Sequence, residues 1–157
     1  MTHLTKLLEA VPCNVCSSVD YRVVFPAADR QSTDYASEFK SSADGPLTEQ
    51  VVACSNCGLH YVSPRIRPEI MLAGYREGSD ERFVSQADAR ERTFAASLKR
   101  IEKHATPGRL LDIGTAAGTF LQAASEGGWQ VAGCEPNRWM CEWGRKRYGL
   151  EISPGTL

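Results

Sequence analysis

Four of the six cysteines stand in two pairs whose spacing suits metal binding. Cys13 and Cys16 form one Cys-x-x-Cys pair, and Cys54 and Cys57, followed by Gly58, form the other. Two thiolates from each of two tight turns complete a tetrahedral shell of the kind that holds structural zinc. A redox-active pair is usually single and lies at a helix start, so it is the weaker interpretation. We therefore predict a structural zinc bound by these four cysteines.

A second pattern with chemical meaning is a turn of small residues after an apolar run. The run Leu110-Leu111-Asp112-Ile113 leads into a turn that contains Gly114, Ala116 and Gly118. Residues with little or no Cβ let a ligand approach the backbone closely. The Asp112 carboxylate suits a cationic amine, and Glu135, about 20 residues beyond Gly114, suits a pair of ribose hydroxyls.

The spacing of this turn separates it from a dinucleotide site. The dinucleotide fingerprint is Gly-x-Gly-x-x-Gly, which requires glycine where this chain has Ala116 and Thr119. That fingerprint also has no place for an acid such as Asp112 before the first glycine. An oxidoreductase that uses a nicotinamide cofactor is therefore disfavoured.

The elements around this turn predict a parallel sheet. From residue 107 onward the pattern is strand, helix, strand, helix, strand, which is typical of a βαβαβ unit. The predicted bounds are Arg109–Gly114, about 118–126, Trp129–Glu135, about 138–148, and Leu150–Ile152. Ligands of such sheets bind beyond the carboxyl ends of the strands, where the turn and Glu135 both lie.

The first part of the chain predicts a small zinc-ribbon-like β module and a helical linker. Strands are expected at Tyr21–Phe25, 50–54 and 59–62, a loop at about 29–46, and helices at 68–77 and about 86–104. We therefore expect three parts: a module over 1–64, a linker or cap over 65–106, and a partial Rossmann-like α/β domain over 107–157.

Composition narrows the class of protein. The 157 residues are 42% hydrophobic and 24% charged, with a net charge of −1, so no basic footprint for nucleic acid is present. Glu9 and Pro12 interrupt the apolar start before it reaches the length of a secretory signal, and no run approaches a membrane span. We expect a soluble, cytoplasmic protein that contacts neither membrane nor nucleic acid; the oligomeric state stays open.

These motifs resemble the class I methyltransferases that use S-adenosylmethionine (SAM). The resemblance rests on Leu111-Asp112-Ile113-Gly114 with Gly118 and on the segment from Gly128 to Asn137. Within these methyltransferases, the chain resembles more specifically a branch with an N-terminal cysteine-rich zinc segment. That branch includes C-methyltransferases that act on nucleotide-linked deoxysugars.

This resemblance implies an enzyme of class EC 2.1.1 that binds SAM and methylates a small molecule, nucleotide-linked sugars among the candidates. It assigns cofactor contacts to Asp112, Gly114, Ala116, Gly118 and Glu135, although the family commonly has glycine at position 116. Tyr75 and Arg90 lie in a region that often caps the cofactor in such enzymes.

The part of such an enzyme that selects and activates the acceptor is not recognisable here. Class I sheets usually have seven strands, and three are predicted, so we expect the chain to be an N-terminal part of a longer protein. No catalytic residue can be named, and the type of nucleophile stays open. The alternative is a zinc-ribbon module for protein or RNA with a degenerate Rossmann remnant, which the balance of 18 basic against 19 acidic residues does not favour.

Overall fold

The protein is described by a computed structural model that covers residues 7–28, 41 and 49–156. The chain divides into two compact units, the first of residues 1–35 and 44–72 and the second of residues 36–43 and 73–157. The predicted loop at 29–46 lies outside the described residues except for Ser41. The three-part division expected above stays a prediction.

The first unit contains five short strands. They are β1 (Leu8–Glu9), β2 (Tyr21–Phe25), β3 (Val51–Cys54), β4 (His60–Val62) and β5 (Arg65–Ile66). Antiparallel pairing joins β2, β3 and β4 in that order, and β1 pairs separately with β5. The three predicted strands are confirmed within one residue, and β1 and β5 are additional.

The core of this unit surrounds its cysteines. Val52, Ala53 and Cys54 on the central strand β3 are buried, and so is Cys13 on the preceding turn. Ser63 is also fully buried, and its backbone carbonyl accepts a hydrogen bond from the Gln50 side chain at 2.8 Å. The central strand therefore fixes Cys54, the first cysteine of its pair, against the interior of the unit.

The remaining elements of the described chain are five helices and three parallel strands. The helices are α1 (Pro68–Glu77), α2 (Glu81–Ser85), α3 (Ala87–Ile101), α4 (Thr119–Glu126) and α5 (Arg138–Tyr148), and the strands are β6 (Arg109–Ile113), β7 (Gln130–Glu135) and β8 (Ile152–Pro154). The predicted bounds of α1 and α5 are confirmed. The long helix expected over 86–104 is α3, which is preceded by the short, unpredicted helix α2.

Strands β6, β7 and β8 form a parallel sheet in that order, with α4 and α5 as the connections. This is the βαβαβ arrangement expected from the sequence, and it makes the second unit a partial Rossmann-like fold. The third strand begins two residues later than predicted, and Gly149, with φ +68°, ends α5 in a left-handed turn before it.

The core of the second unit lies between the sheet and its helices. Leu121, Cys141 and Ile152 pack together as one buried group, and Leu98 packs with Ala124 and Trp129 as another. Gly133 on β7 is required by this packing, since an added Cβ would lie 2.5 Å from Leu121 Cδ1. The close contact between α4 and β7 at Gly133 fixes the helix against the sheet and so positions the carboxyl ends of β6 and β7.

Within the described ranges, no helix combines the length and the apolar character that crossing a bilayer demands.

Candidate functional site

The turn after β6 is bound to the neighbouring strand. The backbone amides of Gly114 and Thr115 both donate to the Cys134 carbonyl, at 2.9 and 3.2 Å. Gly114 has a φ of +76°, and Gly118, with φ +77°, is the residue from which α4 starts. An added Cβ at Gly114 would meet no atom within 4 Å, so space is open in front of this glycine.

Ala116 adopts the conformation that glycine usually provides. Its φ is +48°, in the left-handed region that residues other than glycine rarely occupy. Its amide donates to Glu135 Oε2 at 2.8 Å. The alanine therefore adopts the left-handed conformation at this position, and a charge-assisted hydrogen bond from its amide to Glu135 stabilises the turn.

Glu135 binds backbone on both of its oxygens. Oε1 accepts a hydrogen bond from the Asn137 amide at 2.8 Å, in addition to the Ala116 amide on Oε2, and the residue is only 1% exposed. The carboxylate thus joins the end of β7 to the turn that follows β6. A ribose contact for Glu135 stays a prediction.

Asn137 connects this strand end to a more distant segment. Its Nδ2 donates to the carbonyls of Tyr75 and Gly78, at 2.6 and 2.8 Å, and its Oδ1 caps α5 by accepting from the Met140 amide at 2.8 Å. The residue is 3% exposed. One buried side chain therefore both starts α5 and holds the Tyr75–Gly78 segment beside the strand end.

A cavity of about 520 Å³ opens at this end of the sheet, within the size range of small-molecule sites. Three predicted site residues, Asp112, Gly114 and Ala116, line the cavity, whereas Gly118 and Glu135 do not. The other lining residues are Ser41, Tyr75, Phe83, Arg90, Phe94, Thr115, Thr119 and Phe120.

Several of these lining residues could not be assigned from the sequence. Phe94 belongs to the apolar stripe of α3, which predicts core packing, and its ring meets Phe120 edge to face at 5.6 Å. Thr115 carries a buried Oγ1 without a hydrogen-bond partner in the described structure. An unpaired buried hydroxyl is costly, so a ligand atom near Thr115 would be favourable.

Tyr75 contributes a phenol to the same wall. Its hydroxyl lies 3.0 Å from Ser41 Oγ. Burial raises the pKa of this phenol, and the Glu135 carboxylate nearby raises it further, so the hydroxyl stays protonated and able to donate.

In the first unit, the four predicted cysteines are brought together. The Sγ atoms of Cys13 and Cys57 lie 3.4 Å apart, those of Cys16 and Cys54 lie 3.5 Å apart, and all four lie within 4.8 Å of one another. A tetrahedral zinc with Zn–S bonds of about 2.3 Å separates its sulfurs by roughly 3.8 Å. The four thiols therefore fit a zinc shell, and all of them are free of disulfides.

The two cysteine turns have the same backbone form. In each, the residue after the second cysteine is left-handed, Ser17 with φ +60° and Gly58 with φ +77°, and its amide donates to the carbonyl of the first cysteine, Cys13 or Cys54. Glycine readily adopts this left-handed conformation, so Gly58 suits the position that follows its cysteine pair.

Polar groups around these turns favour the thiolate form of Cys16 and Cys54. A hydrogen bond from the Asn56 side chain, with another from the Ser18 amide, lowers the pKa of Cys16 to about 6. The Cys57 amide likewise lowers the pKa of Cys54. The Leu59 amide lowers the pKa of Cys57, but the hydrogen bond with the Cys13 side chain, together with burial, raises it overall to about 12. Thiolate is the form that binds metal, so Cys16 and Cys54 already favour that form, whereas Cys57 would lose its proton to a bound cation.

Part of the second unit is similar to known proteins. Residues 85–152 match the model of a family described as a methyltransferase domain. The structure is similar to the crystal structure of a SAM-dependent methyltransferase from Archaeoglobus fulgidus, with 24% identity over 48% of this chain, 35% of that chain and a TM-score of 0.37. The chain thus spans about a third of that relative. Comparison with curated protein sequences finds no match.

Proposed function

We propose that the second unit, whose residues 85–152 match the model of a methyltransferase domain family, binds SAM and serves methyl transfer to a small-molecule acceptor. The observation that carries this proposal is the cavity at the carboxyl ends of β6 and β7, where the Asp112 carboxylate and the open face of Gly114 meet. These two features suit a cofactor that has a cationic amine for the Asp112 carboxylate and a chain that lies close to the backbone at Gly114.

Each residue of the turn has a role in this proposal. Asp112 accepts the α-ammonium group, and Gly114 and Ala116 let the cofactor chain lie against the backbone. Gly118 starts α4 and so sets where the turn ends. Glu135 uses one lone pair on each oxygen for backbone amides, and a carboxylate oxygen has another lone pair for a ribose hydroxyl.

SAM supplies a methyl group on a cationic sulfonium, which a nucleophile of the acceptor attacks. The chain contributes positioning, and its aromatic wall limits the access of water. The acceptor class rests on resemblance: a small molecule, with nucleotide-linked sugars as the first compounds to test. A cytoplasmic location is part of the same proposal, since free thiols are typical of a reducing compartment.

Calorimetric titration with S-adenosylhomocysteine and, separately, with NAD tests this proposal. We expect S-adenosylhomocysteine to bind and NAD to give no heat. Asp112→Asn should weaken binding roughly 10-fold or more, the worth of a hydrogen bond to a charged group. Glu142→Gln, an exposed acid-to-amide change on α5, is the matched control and should bind as the wild type does. Absence of heat with S-adenosylhomocysteine, or comparable binding of NAD, would overturn the proposal.

We also propose that Cys13, Cys16, Cys54 and Cys57 hold a structural zinc ion. The fit of the sulfur positions supports this, and a closed shell of four thiolates leaves no position for a reacting group. The zinc would stabilise the turns that lead into β2 and β4.

Elemental analysis of freshly purified protein tests the metal site. We expect about one zinc per chain. Cys54→Ser should lose zinc, whereas Cys134→Ser, a change of the same type on β7 in the other unit, should keep it. A zinc content near zero in the wild type, or equal zinc in both variants, would contradict the assignment.

A further inference from the structure

Strand β2 of the first unit has one open edge. It pairs with β3 on one side, and in the described part of the chain no strand pairs with its other side. Open edges invite a further strand, and natural proteins commonly protect them with Lys or Pro. Residues 19–25 contain neither, and Val19, Tyr21 and Val23 are 72%, 39% and 48% exposed. The outer edge of β2 is therefore both unpaired and apolar.

The contacts with β3 show which backbone groups of β2 point outward. The Asp20 carbonyl accepts a hydrogen bond from the Ser55 amide at 3.0 Å, and Tyr21 stands opposite Cys54 in antiparallel register. Backbone groups of successive residues alternate between the two sides of an antiparallel strand. The N–H and C=O groups of Tyr21 and Val23 therefore point away from β3, toward the open edge.

The side chains along this edge are complementary to the same segment in reverse. Residues 19–23 read apolar, acidic, aromatic, basic, apolar, and all five are exposed. The ion pairs found among the described residues involve neither Asp20 nor Arg22. If a second copy runs antiparallel with its Tyr21 opposite Tyr21, Asp20 of each copy meets Arg22 of the other. Val19 of each copy then meets Val23 of the other.

Charge decides between the possible registers of such a pair. Centring it on Arg22 would place like charges opposite each other, which is destabilising in a sheet. Centring it on Val23 would place Arg22 opposite Val24, so both charges would lack a partner. Only the register centred on Tyr21 pairs Asp20 with Arg22, at positions without backbone hydrogen bonds, where opposing side chains are closest.

The two faces of the pair would also match the existing sheet. Residues directly opposite on neighbouring strands share a face, so Tyr21 and Val23 lie on the face of Cys54 and Val52, which are buried. A second copy would extend this apolar layer with its own Tyr21 and Val23. The Asp20–Arg22 pairs would lie on the opposite face.

We propose that the first unit self-associates through β2, which pairs antiparallel with β2 of a second copy of this chain about a two-fold axis at Tyr21. The two three-stranded sheets then form one sheet of six strands. Each copy uses the same edge, so the interface is closed and assembly stops at the dimer.

Sedimentation equilibrium of the full chain, from about 1 to 200 μM, tests the proposal. We expect a reversible dimer of twice the 17.2 kDa mass of one chain. Asp20→Arg or Arg22→Asp alone should raise the dissociation constant at least about 10-fold, because two opposite-charge pairs become two like-charge pairs. The double variant Asp20→Arg/Arg22→Asp restores both pairs with exchanged signs and should associate as the wild type does.

Two further variants serve as controls. Glu142→Arg, an exposed charge reversal on α5 in the second unit, should leave association unchanged. Val23→Pro removes an outward N–H without taking a donor from β3, so it should abolish the dimer, and amide exchange in β3 verifies that the first unit stays folded.

Three outcomes would contradict the proposal. A wild type that stays monomeric throughout the concentration range overturns it and assigns the open edge to a strand from another protein. A dimer that is unaffected by the single charge reversals overturns it as well, because the interface would then lie elsewhere. A double variant that associates no better than the single variants overturns the register centred on Tyr21 and the charge pairing with it.

Discussion

Substitution of Asn137 tests whether one buried side chain holds the cavity wall to the sheet. Asn137→Ser keeps an oxygen that can cap α5 but removes the amide that donates to Tyr75 and Gly78. Two lost hydrogen bonds at about 0.5–1.5 kcal/mol each predict a loss of about 1–3 kcal/mol in the free energy of unfolding. Asn137→Asp should cost about 3–5 kcal/mol, because a buried carboxylate then faces two carbonyl oxygens without a donor.

The aspartate variant also makes a prediction about pH. Its carboxyl would be favoured in the protonated form, which can donate to a carbonyl, so its pKa in the folded state would be raised above the unfolded value. Stability of this variant should therefore be greatest in acid and fall as pH rises through the folded pKa. The serine variant lacks the ionisable group and should not show this dependence relative to the wild type.

Urea unfolding followed by tryptophan fluorescence reports on the second unit of the chain, which contains Asn137. The sequence has three tryptophans, and all of them lie in that unit: Trp129, Trp139 and Trp143. Loss of the Asn137 contacts should also weaken S-adenosylhomocysteine binding, since Tyr75 lines the cavity. The reasoning is refuted if both variants stay within about 0.5 kcal/mol of the wild type.

Four further substitutions test the turns and one helix contact. Ser17→Gly should stabilise the first unit by about 1 kcal/mol because it relieves a left-handed residue, whereas Gly58→Ala should destabilise it similarly; amide exchange in that unit measures both, and changes of the same sign would contradict this. Ala116→Gly should raise the unfolding free energy of the second unit by about 1 kcal/mol in the same urea assay, and a decrease would argue against strain there. Burial, with a hydrogen bond to Glu91, raises the pKa of Tyr148 to about 12, so the stability from this contact is complete below the ordinary value of 10 and lost as pH rises toward 12. Tyr148→Phe should remove that alkaline step from the unfolding free energy, and its persistence would show that another group causes it.

Local signals in the sequence predicted most elements of the second unit. Pro68 begins α1, as expected for a residue whose fixed φ suits the first turn of a helix. The short helix α2 was missed because Gly78, Ser79 and Asp80 indicate a break, yet the Asp80 side chain accepts from the Phe83 amide at 2.9 Å and starts a helix there. Five residues are too few to show a helical period.

Contacts distant in sequence were beyond local patterns. Strands β1 and β5 have two residues each and pair Leu8 with Ile66, so neither segment has a strand signal of its own. Likewise, the sequence places Arg90 on a helix and Asp112 on a strand, but only tertiary packing brings both to one cavity. Spacing predicts which strand end carries an acid, and it cannot predict which donors that acid will meet.

Glu135 shows why the site cannot be interpreted from its motif alone. An acid at this position was predicted for the ribose hydroxyls, yet its two oxygens already hold the amides of Ala116 and Asn137. Removing the carboxylate would release the left-handed Ala116, so the turn would change even if no ribose ever touched the acid. A loss of cofactor affinity in Glu135→Gln therefore has two possible sources, and the Ala116→Gly background separates them. Glycine adopts the left-handed turn without support, so an affinity loss caused by the turn should shrink in that background. A loss caused by the ribose contact should stay the same size, because the missing hydrogen bond is to the ligand and not to the turn.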